Sequence, residues 1–484
     1  MVDRNRIKSF NKVIKVAILS IIILLVTYIL FNSFVDYYFW YDESGQFFLA
    51  KGLNHDSDPL AQPQGLLSAL ENNRYYNMDP GGFTILLHFW SKLGTQAWFL
   101  RILPLLFFLG TCLFLYKVCL SETQRKDISV LIGIIPFIYP LFYVSSVMLR
   151  AYSMELCGTS FGLYLLNHLE KHRSYSYVFL LSMTLSFFCF SRYSFIIVAF
   201  GFSLYVVWIL YKEESFEVFI KKIIIYSVPL LLMILLIYKK MLLFQNPKIE
   251  ALCYVKSLYE DKSLYFNRYS IMYYGLLFLY LIRTVKAKPI GNLHKITLIV
   301  TSVFFFLSSF NLYPWDYFRT ISVTFLLVFT ILIEVFKVIR NKGYMITISY
   351  ALALIIIPIE MMREKYKDNE HNNEPIEELI SLLDKTSFHN KKILIHKSFS
   401  PDVRYLYEYG ILKSRKEKDG YPNNFLILKG GKHGFGDDRI AIRTIEWDNS
   451  NCDYVLSKRL DTGSKKYHLQ NGRKYVYVKL NKDH

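Results

Sequence analysis

The chain has 484 residues, 53% of them hydrophobic and 17% aromatic, more apolar material than one soluble core of that size buries. Its formal charge of +18 does not mark a nucleic-acid binder, because many Lys and Arg sit in short gaps between apolar runs and not along one stripe. The six cysteines are scattered without Cys-x-x-Cys spacing: Cys112, Cys119, Cys157 and Cys189 fall in or beside apolar runs as packing residues, and Cys253 and Cys452 are expected outside.

The amino terminus is basic (Arg4, Arg6, Lys8, Lys12, Lys15) and leads into the apolar run Val16–Phe31, with no small-residue cleavage site before Asp36. This predicts an uncleaved first helix with a cytoplasmic amino terminus. An acidic segment follows, with Asp36, Asp42, Glu43, Asp56, Asp58, Glu71 and Asp79, and is expected outside. Within it, Gly81–Leu93 is apolar but too short for a crossing and is expected to lie along the outer surface.

A second span over about 98–117 ends at Lys117, Arg125 and Lys126; later returns end at Lys171/Arg173, Lys212/Lys221/Lys222, Arg283/Lys286/Lys288 and Lys337/Arg340/Lys342. Short cytoplasmic loops are enriched in Lys and Arg, so these groups fall inside. The turns Ser145–Tyr152, Ser191–Tyr193, Lys239–Arg268 and Asn311–Arg319 then fall outside, and a last span over about 344–361 delivers the carboxyl-terminal region outside.

The expected architecture is an all-α polytopic membrane domain over residues 1–362, with about eleven transmembrane helices and interfacial helices in an outer loop at 35–97. A small soluble α/β domain follows over 363–484, with strands at Lys392–His396 and Phe425–Lys429 and helices at Pro375–Asp384 and Asp402–Tyr409. Its glycine turns lack the strand, lysine and helix of a phosphate cradle, and His389, His396, His433 and His468 form no evident catalytic set.

Chemistry concentrates on the outer side. Asp42 and Glu43 directly follow the first helix among aromatic residues; such a pair acts as a base where its proton affinity is shifted, or merely begins a solvated helix. Arg150, Arg192, Arg268 and Arg319 all fall at outer helix ends, mostly beside aromatic residues. The arginine fork suits phosphate, and the alternative for any one of them is anchoring to lipid headgroups. Their recurrence against the positive-inside bias favours the first reading. A carboxylate base and arginines at a lipid interface fit a phosphate-headed, lipid-tailed substrate.

The segment Asp42-Glu43 with Phe47, Ala50 and Gly52, then Asp79-Pro80-Gly81-Gly82, Leu100-Arg101-Ile102-Leu103-Pro104 and Arg150-Ala151-Tyr152-Ser153, occurs in an order that resembles the GT-C fold glycosyltransferases. These use polyprenyl-phosphate sugars and include protein O-mannosyltransferases and lipid A aminoarabinose transferases; the resemblance covers roughly residues 15–340. It implies inverting transfer of a sugar from a polyprenyl-phosphate carrier to a hydroxyl of a cell-envelope glycolipid such as lipopolysaccharide, a polysaccharide or a protein, at the outer face of a bacterial cytoplasmic membrane. Asp42 is implied as base, with Glu43 orienting or binding beside it. Asp79, Arg150, Tyr152, Arg192, Arg268 and Arg319 are the candidates for holding lipid phosphate or acceptor. Where relatives often read His-Pro-Pro, this chain has Asp79-Pro80-Gly81.

No nucleotide diphosphate leaves in such a reaction, so no cofactor is required of it, and the scattered carboxylates give no ligand spacing for a divalent metal. The expected partners are the lipid-linked donor, the acceptor and the bilayer, with no nucleic acid. Two rivals are a lipid-linked sugar transporter or flippase and an anchored scaffold. Transporters place ionisable groups near the bilayer midplane, whereas Glu155 and Glu334 fall near helix ends; eleven spans exceed what an anchor needs.

Overall fold

A computed structural model describes residues 39, 41–53, 62–77, 79–237, 291–309 and 320–339, the strand segments 393–395, 425–427, 454–457, 467–471 and 476–480, and isolated residues 20, 27, 274, 275, 278, 405 and 409. Of the expected first span only residues 20 and 27 are described, and the expected last span at 344–361, the domain boundary near 362, Arg268, Arg319, Cys253 and Cys452 lie outside the described residues.

Three short helices come first: α1 (Tyr41–Ala50), α2 (Leu66–Tyr76) and α3 (Gly82–Leu93). The bundle follows with α4 (Ala97–Thr123), α5 (Lys126–Ile138), α6 (Pro140–Val147), α7 (Tyr152–Leu169), α8 (Tyr175–Cys189), α9 (Tyr193–Glu213), α10 (Phe216–Ile237), α11 (Asn292–Ser309) and α12 (Ile321–Ile339).

Of these, α4, α9 and α10 are long and apolar enough to cross a bilayer, and α5 with α6 makes a fourth candidate bent by 67°. The bend has a local cause. Pro140 lacks the N–H a continuous helix would use and forces Tyr139 into extended backbone (ψ 108°), so α5 stops and α6 restarts with proline in its first turn. Exposed side chains cover the outer flanks of the bundle: Leu106, Leu109 and Leu113 on α4, Phe179 and Met183 on α8, Phe200 and Leu204 on α9, and Leu231, Leu232 and Leu235 on α10. Such a continuous apolar surface is unstable in water and is satisfied by lipid, so these helices are membrane-embedded.

Apolar burial does not drive helix association within lipid, and close packing takes over. Gly158 and Gly162 on α7 supply it: a Cβ at either would come within 2.5 Å of Phe188 on α8 or 2.8 Å of Phe202 on α9. Gly110 lets α4 approach α7 in the same way, 2.9 Å from the Cys157 sulfur. Cys119, Cys157 and Cys189 are buried and Cys112 partly so, all as free thiols in these packed faces.

With twelve residues, α3 spans about 18 Å, too little to cross a hydrocarbon layer of about 30 Å. It packs on α1, α2 and α4 instead, burying Phe83, Thr84, Leu87, His88 and Ser91. The three short helices thus form a small helical cap in which Gly82 N–H donates to the Phe190 carbonyl at the end of α8 (2.9 Å).

The carboxyl-terminal strands are β1 (Ile393–Ile395), β2 (Phe425–Ile427), β3 (Tyr454–Ser457), β4 (Tyr467–Asn471) and β5 (Val476–Leu480), in one sheet of order β2-β1-β3-β5-β4. β1 runs parallel to β2 and β3, while β5 is antiparallel to β3 and β4. Both strands expected from the sequence are present; β3 to β5 were not anticipated. The parallel pairs require crossovers, and the connections 396–424 and 428–453 are long enough to make them. The expected helix at Pro375–Asp384 lies outside the described residues, and of Asp402–Tyr409 only Tyr405 and Tyr409 are described, the first helical and the second in a turn.

Gly82→Ala tests how the cap is seated. The added methyl would meet Phe190 at 2.6 Å, so the substitution is expected to lower stability by about 1–3 kcal/mol, visible as a lower apparent Tm in detergent.

Candidate functional site

The first turn of α1 carries Asp42 and Glu43, where carboxylates are favoured by the helix dipole. The helix ends at Gly52, whose φ of +74° is a left-handed conformation, and a Cβ there would lie 2.8 Å from Gln64. Glu43 to Ala50 are all buried, whereas Asp42 stays partly exposed. Among the described residues the Asp42 carboxylate takes no hydrogen bond, and only its backbone carbonyl is engaged, by Arg150 Nη1 at 3.5 Å.

Glu43 faces the other way. Its Oε2 accepts from Arg101 Nη2 on α4 (3.3 Å) and its Oε1 from the Leu149 N–H in the turn before α7 (2.8 Å). The two carboxylates paired in the sequence therefore differ in role: Asp42 is free and open, and Glu43 fastens α1 to the bundle and places Arg150 one residue from its clamp.

A buried amide network sets the cap. Gln46 Nε2 donates to Thr84 Oγ1 (2.8 Å), Thr84 Oγ1 donates to Asn73 Oδ1 (2.5 Å), and Asn77 Nδ2 donates to Gln46 Oε1 (2.9 Å), joining α1, α2 and α3. Asn73 Nδ2 also donates to the Asp79 carbonyl (2.9 Å), which fixes the segment leading into α3. Each bond contributes about 1 kcal/mol net, and each orphaned partner would cost about 1–3 kcal/mol.

Asp79 then meets two arginines. Its Oδ1 accepts from Arg192 Nε at 3.2 Å, and its Oδ2 lies 3.8 Å from Arg150 Nη2. Arg192, just before α9, also donates from Nη1 to Glu155 Oε2 (3.1 Å) and lies over the Tyr152 ring, 4.4 Å from its centroid. Glu155 is fully buried in the first turn of α7 and accepts further bonds from Ser194 Oγ and Ser322 Oγ, both at 2.8 Å. Burial disfavours the charge on Arg150, but the nearby Asp42, Tyr152 and Asp79 outweigh it, so its proton affinity is raised and it stays cationic.

Asp42, Glu43, Asp79, Arg150, Tyr152 and Arg192 are thus brought into one cluster, while Arg268 and Arg319 fall outside the described residues. Glu155 and Arg101 are members that the sequence did not single out as site residues. A glutamate one turn into an otherwise apolar helix was the available signal for the first. Among the described residues no three His, Cys, Asp or Glu side chains are grouped to hold a metal.

One contribution comes from the carboxyl-terminal region. Tyr405 is 1% exposed, packs its ring on Phe39 and Phe47 (centroids 4.3 and 5.3 Å) and donates from its hydroxyl to the Thr95 carbonyl (3.0 Å). Tyr409 adds a second edge contact to Phe47 at 5.0 Å. The helix that presents Asp42 is therefore braced from behind by residues more than 350 positions further along the chain.

At the opposite end of the bundle Lys337 on α12 bonds Glu122 at the end of α4 and Glu334 (3.2 Å), and Arg173 meets Glu213 at 3.3 Å. Arg101 and Glu122 are 21 positions apart on α4, about 31 Å of helix. The cluster around Asp42 and the basic loops therefore occupy opposite ends of the bundle, a hydrocarbon thickness apart.

The chain matches no protein-family model and no curated protein sequence.

Removing one partner of a buried ion pair strands the other, so Glu155→Ala is expected to cost about 3–5 kcal/mol through Arg192, and Glu155→Gln less because its amide oxygen still accepts. Unfolding of purified protein in detergent measures both. Tyr405→Phe, losing only the bond to Thr95, is expected to cost about 1 kcal/mol, and Tyr405→Ala about 3–5 kcal/mol, with faster proteolytic release of the carboxyl-terminal region.

Proposed function

We propose that this protein is an inverting, polyprenyl-phosphate-dependent glycosyltransferase of the GT-C type, acting at the outer face of a bacterial cytoplasmic membrane. The observation that carries this reading is the pairing of a free, partly exposed carboxylate at Asp42 with a cationic Arg150 at the bundle end away from the basic loops. Asp42 removes the proton of the acceptor hydroxyl. That oxygen attacks the anomeric carbon from the face opposite the carrier, the bond to the phosphate oxygen breaks with inversion, and Arg150 offsets the charge growing on the departing lipid phosphate. Asp79 stands beside Arg150 and Arg192 stacks on Tyr152 next to it, and Glu43 positions the turn that carries Arg150.

The proposal includes eleven spans, a cytoplasmic amino terminus and an outer carboxyl-terminal domain, in keeping with the alternation of basic and acidic loops. Acceptor candidates are a glycolipid, a polysaccharide or a protein of the envelope. The buried Glu155–Arg192 pair favours a second reading, movement of a lipid-linked sugar, since ionisable groups within helices mark transport pathways.

Mass spectrometry of extracted surface glycolipids and glycoproteins separates the two. Cells carrying Asp42→Asn at matched expression are expected to lose the same sugar unit as a deletion strain, with a rate loss of about a hundredfold or more in purified protein. A deletion phenotype that Asp42→Asn fully rescues would remove Asp42 as base and favour transport.

A further inference from the structure

Arg150 is poorly satisfied for a charge so enclosed. Its contacts to the Asp42 carbonyl and to Asp79, at 3.5 and 3.8 Å, lie at the outer limit for a hydrogen bond and an ion pair, and its Nε is buried with no partner among the described residues. Arg192, by contrast, is held at 3.2 and 3.1 Å by two carboxylates and stacked on Tyr152. Asp79 stands between them, with one oxygen on the well-held guanidinium and the other turned to the under-satisfied one.

The charges of the cluster point the same way. With every group in its charged form, Arg101, Arg150 and Arg192 face Asp42, Glu43, Asp79 and Glu155, leaving one net negative charge. An added phosphate monoester would be repelled unless one carboxylate yields. Glu43 and Glu155 are at most 3% exposed, and each is fixed by donors from other helices. Among the described residues the Asp42 carboxylate takes no hydrogen bond, so it occupies no guanidinium donor that a phosphate would need. Asp79 remains. Its side chain is 10% exposed, more than that of Glu43 or Glu155, and it is followed by Pro80, Gly81 and Gly82, with Gly81 at φ +90°.

We propose that Asp79 is a built-in competitor for the donor: its carboxylate fills the place between Arg150 and Arg192 that the phosphate of a lipid-linked substrate takes, and substrate entry displaces it. In the empty site Asp79 keeps two neighbouring guanidinium groups from repelling each other and bars small anions. A phosphate whose lipid tail adds apolar binding outcompetes it, so occupancy is reserved for lipid-anchored phosphates. The identity of the anion rests on the transferase reading; the displacement of Asp79 does not.

The test is binding of farnesyl phosphate to the purified full-length protein, with inorganic phosphate and farnesol as separate arms. Asp79→Asn is expected to bind farnesyl phosphate about tenfold more tightly than the wild type, and Arg150→Gln at least about tenfold more weakly. Carbodiimide labelling of Asp79 in the wild-type chain, read by mass spectrometry, is expected to rise when farnesyl phosphate is added. Unchanged or weaker binding by Asp79→Asn overturns the proposal, and so does labelling that stays level or falls, a measurement that needs no variant to fold. Inorganic phosphate binding as tightly as farnesyl phosphate would overturn the lipid-linked occupant. Tighter binding by Asp79→Asn beside an unaltered glycan profile in Asp42→Asn would sustain displacement and end the transferase reading. The reverse pair of results would end displacement alone.

Discussion

The ion chain from Asp79 through Arg192 to Glu155 is the constraint on which the rest of the site depends. A guanidinium inside a helical bundle is tolerated only when carboxylates stand against it, because the desolvation cost of an unpaired charge is several kcal/mol. Glu155 meets that need from the first turn of α7 while drawing in Ser194 at the start of α9 and Ser322 at the start of α12. Three helix ends are thereby fastened at one point. Asp79 carries the chain of contacts into the cap, where Asn73, Asn77, Gln46 and Thr84 hold α1 in register. The position of Asp42 relative to Arg150 follows from these bonds and not from any contact made by the Asp42 carboxylate itself.

The same arrangement explains why the site lies at one end of the bundle. Charged groups are costly in the middle of a bilayer and affordable near its surfaces. The bundle accordingly has two polar layers, one built on Glu43, Asp79, Glu155 and the arginines, the other on Glu122, Glu334 and Lys337, joined by helices whose outer flanks are apolar. Between them α7 packs through glycine and α12 through small hydroxyls such as Ser322, Thr324 and Thr330, leaving a tight interior. A fixed cluster at one end of the bundle is what the proposed transfer from a lipid-tailed donor requires.

Much of this was readable in the sequence, for identifiable reasons. Apolar runs separated by basic gaps gave α4, α9 and α10 directly, since length and hydropathy decide whether a helix can cross. The shortness of Gly81–Leu93 argues against a crossing, and the helix formed there, α3, has twelve residues. Arg150 and Arg192 stood out because cations at outer ends oppose the topological bias. The break at Tyr139-Pro140 went unremarked, although proline and the residue before it carry the cause. Glu155 was noticed only as lying near a helix end: nothing local shows that Arg192, 37 positions on, and Ser322, 167 positions on, converge there. Tyr405 was beyond reach altogether, because the run Tyr405-Leu406-Tyr407-Glu408-Tyr409 bears no mark of the aromatic pocket that receives its first ring.

Asp42 and Glu43 are the sharpest case of chemistry set by surroundings. They are adjacent carboxylates of nearly equal intrinsic acidity. Successive residues on a helix point about 100° apart, so Asp42 stays partly exposed while Glu43 turns into the bundle. Glu43 accepts from a guanidinium and a backbone N–H, one at each oxygen, and is buried away from an incoming hydroxyl. Among the described residues Asp42 keeps both carboxylate oxygens open beside a cation that touches only its backbone carbonyl and otherwise reaches Asp79. The proposed transfer needs this division of labour: were Arg150 bonded tightly to the Asp42 carboxylate, the pair would neutralise each other, and neither would be left for the proton or the phosphate that the proposal assigns to it.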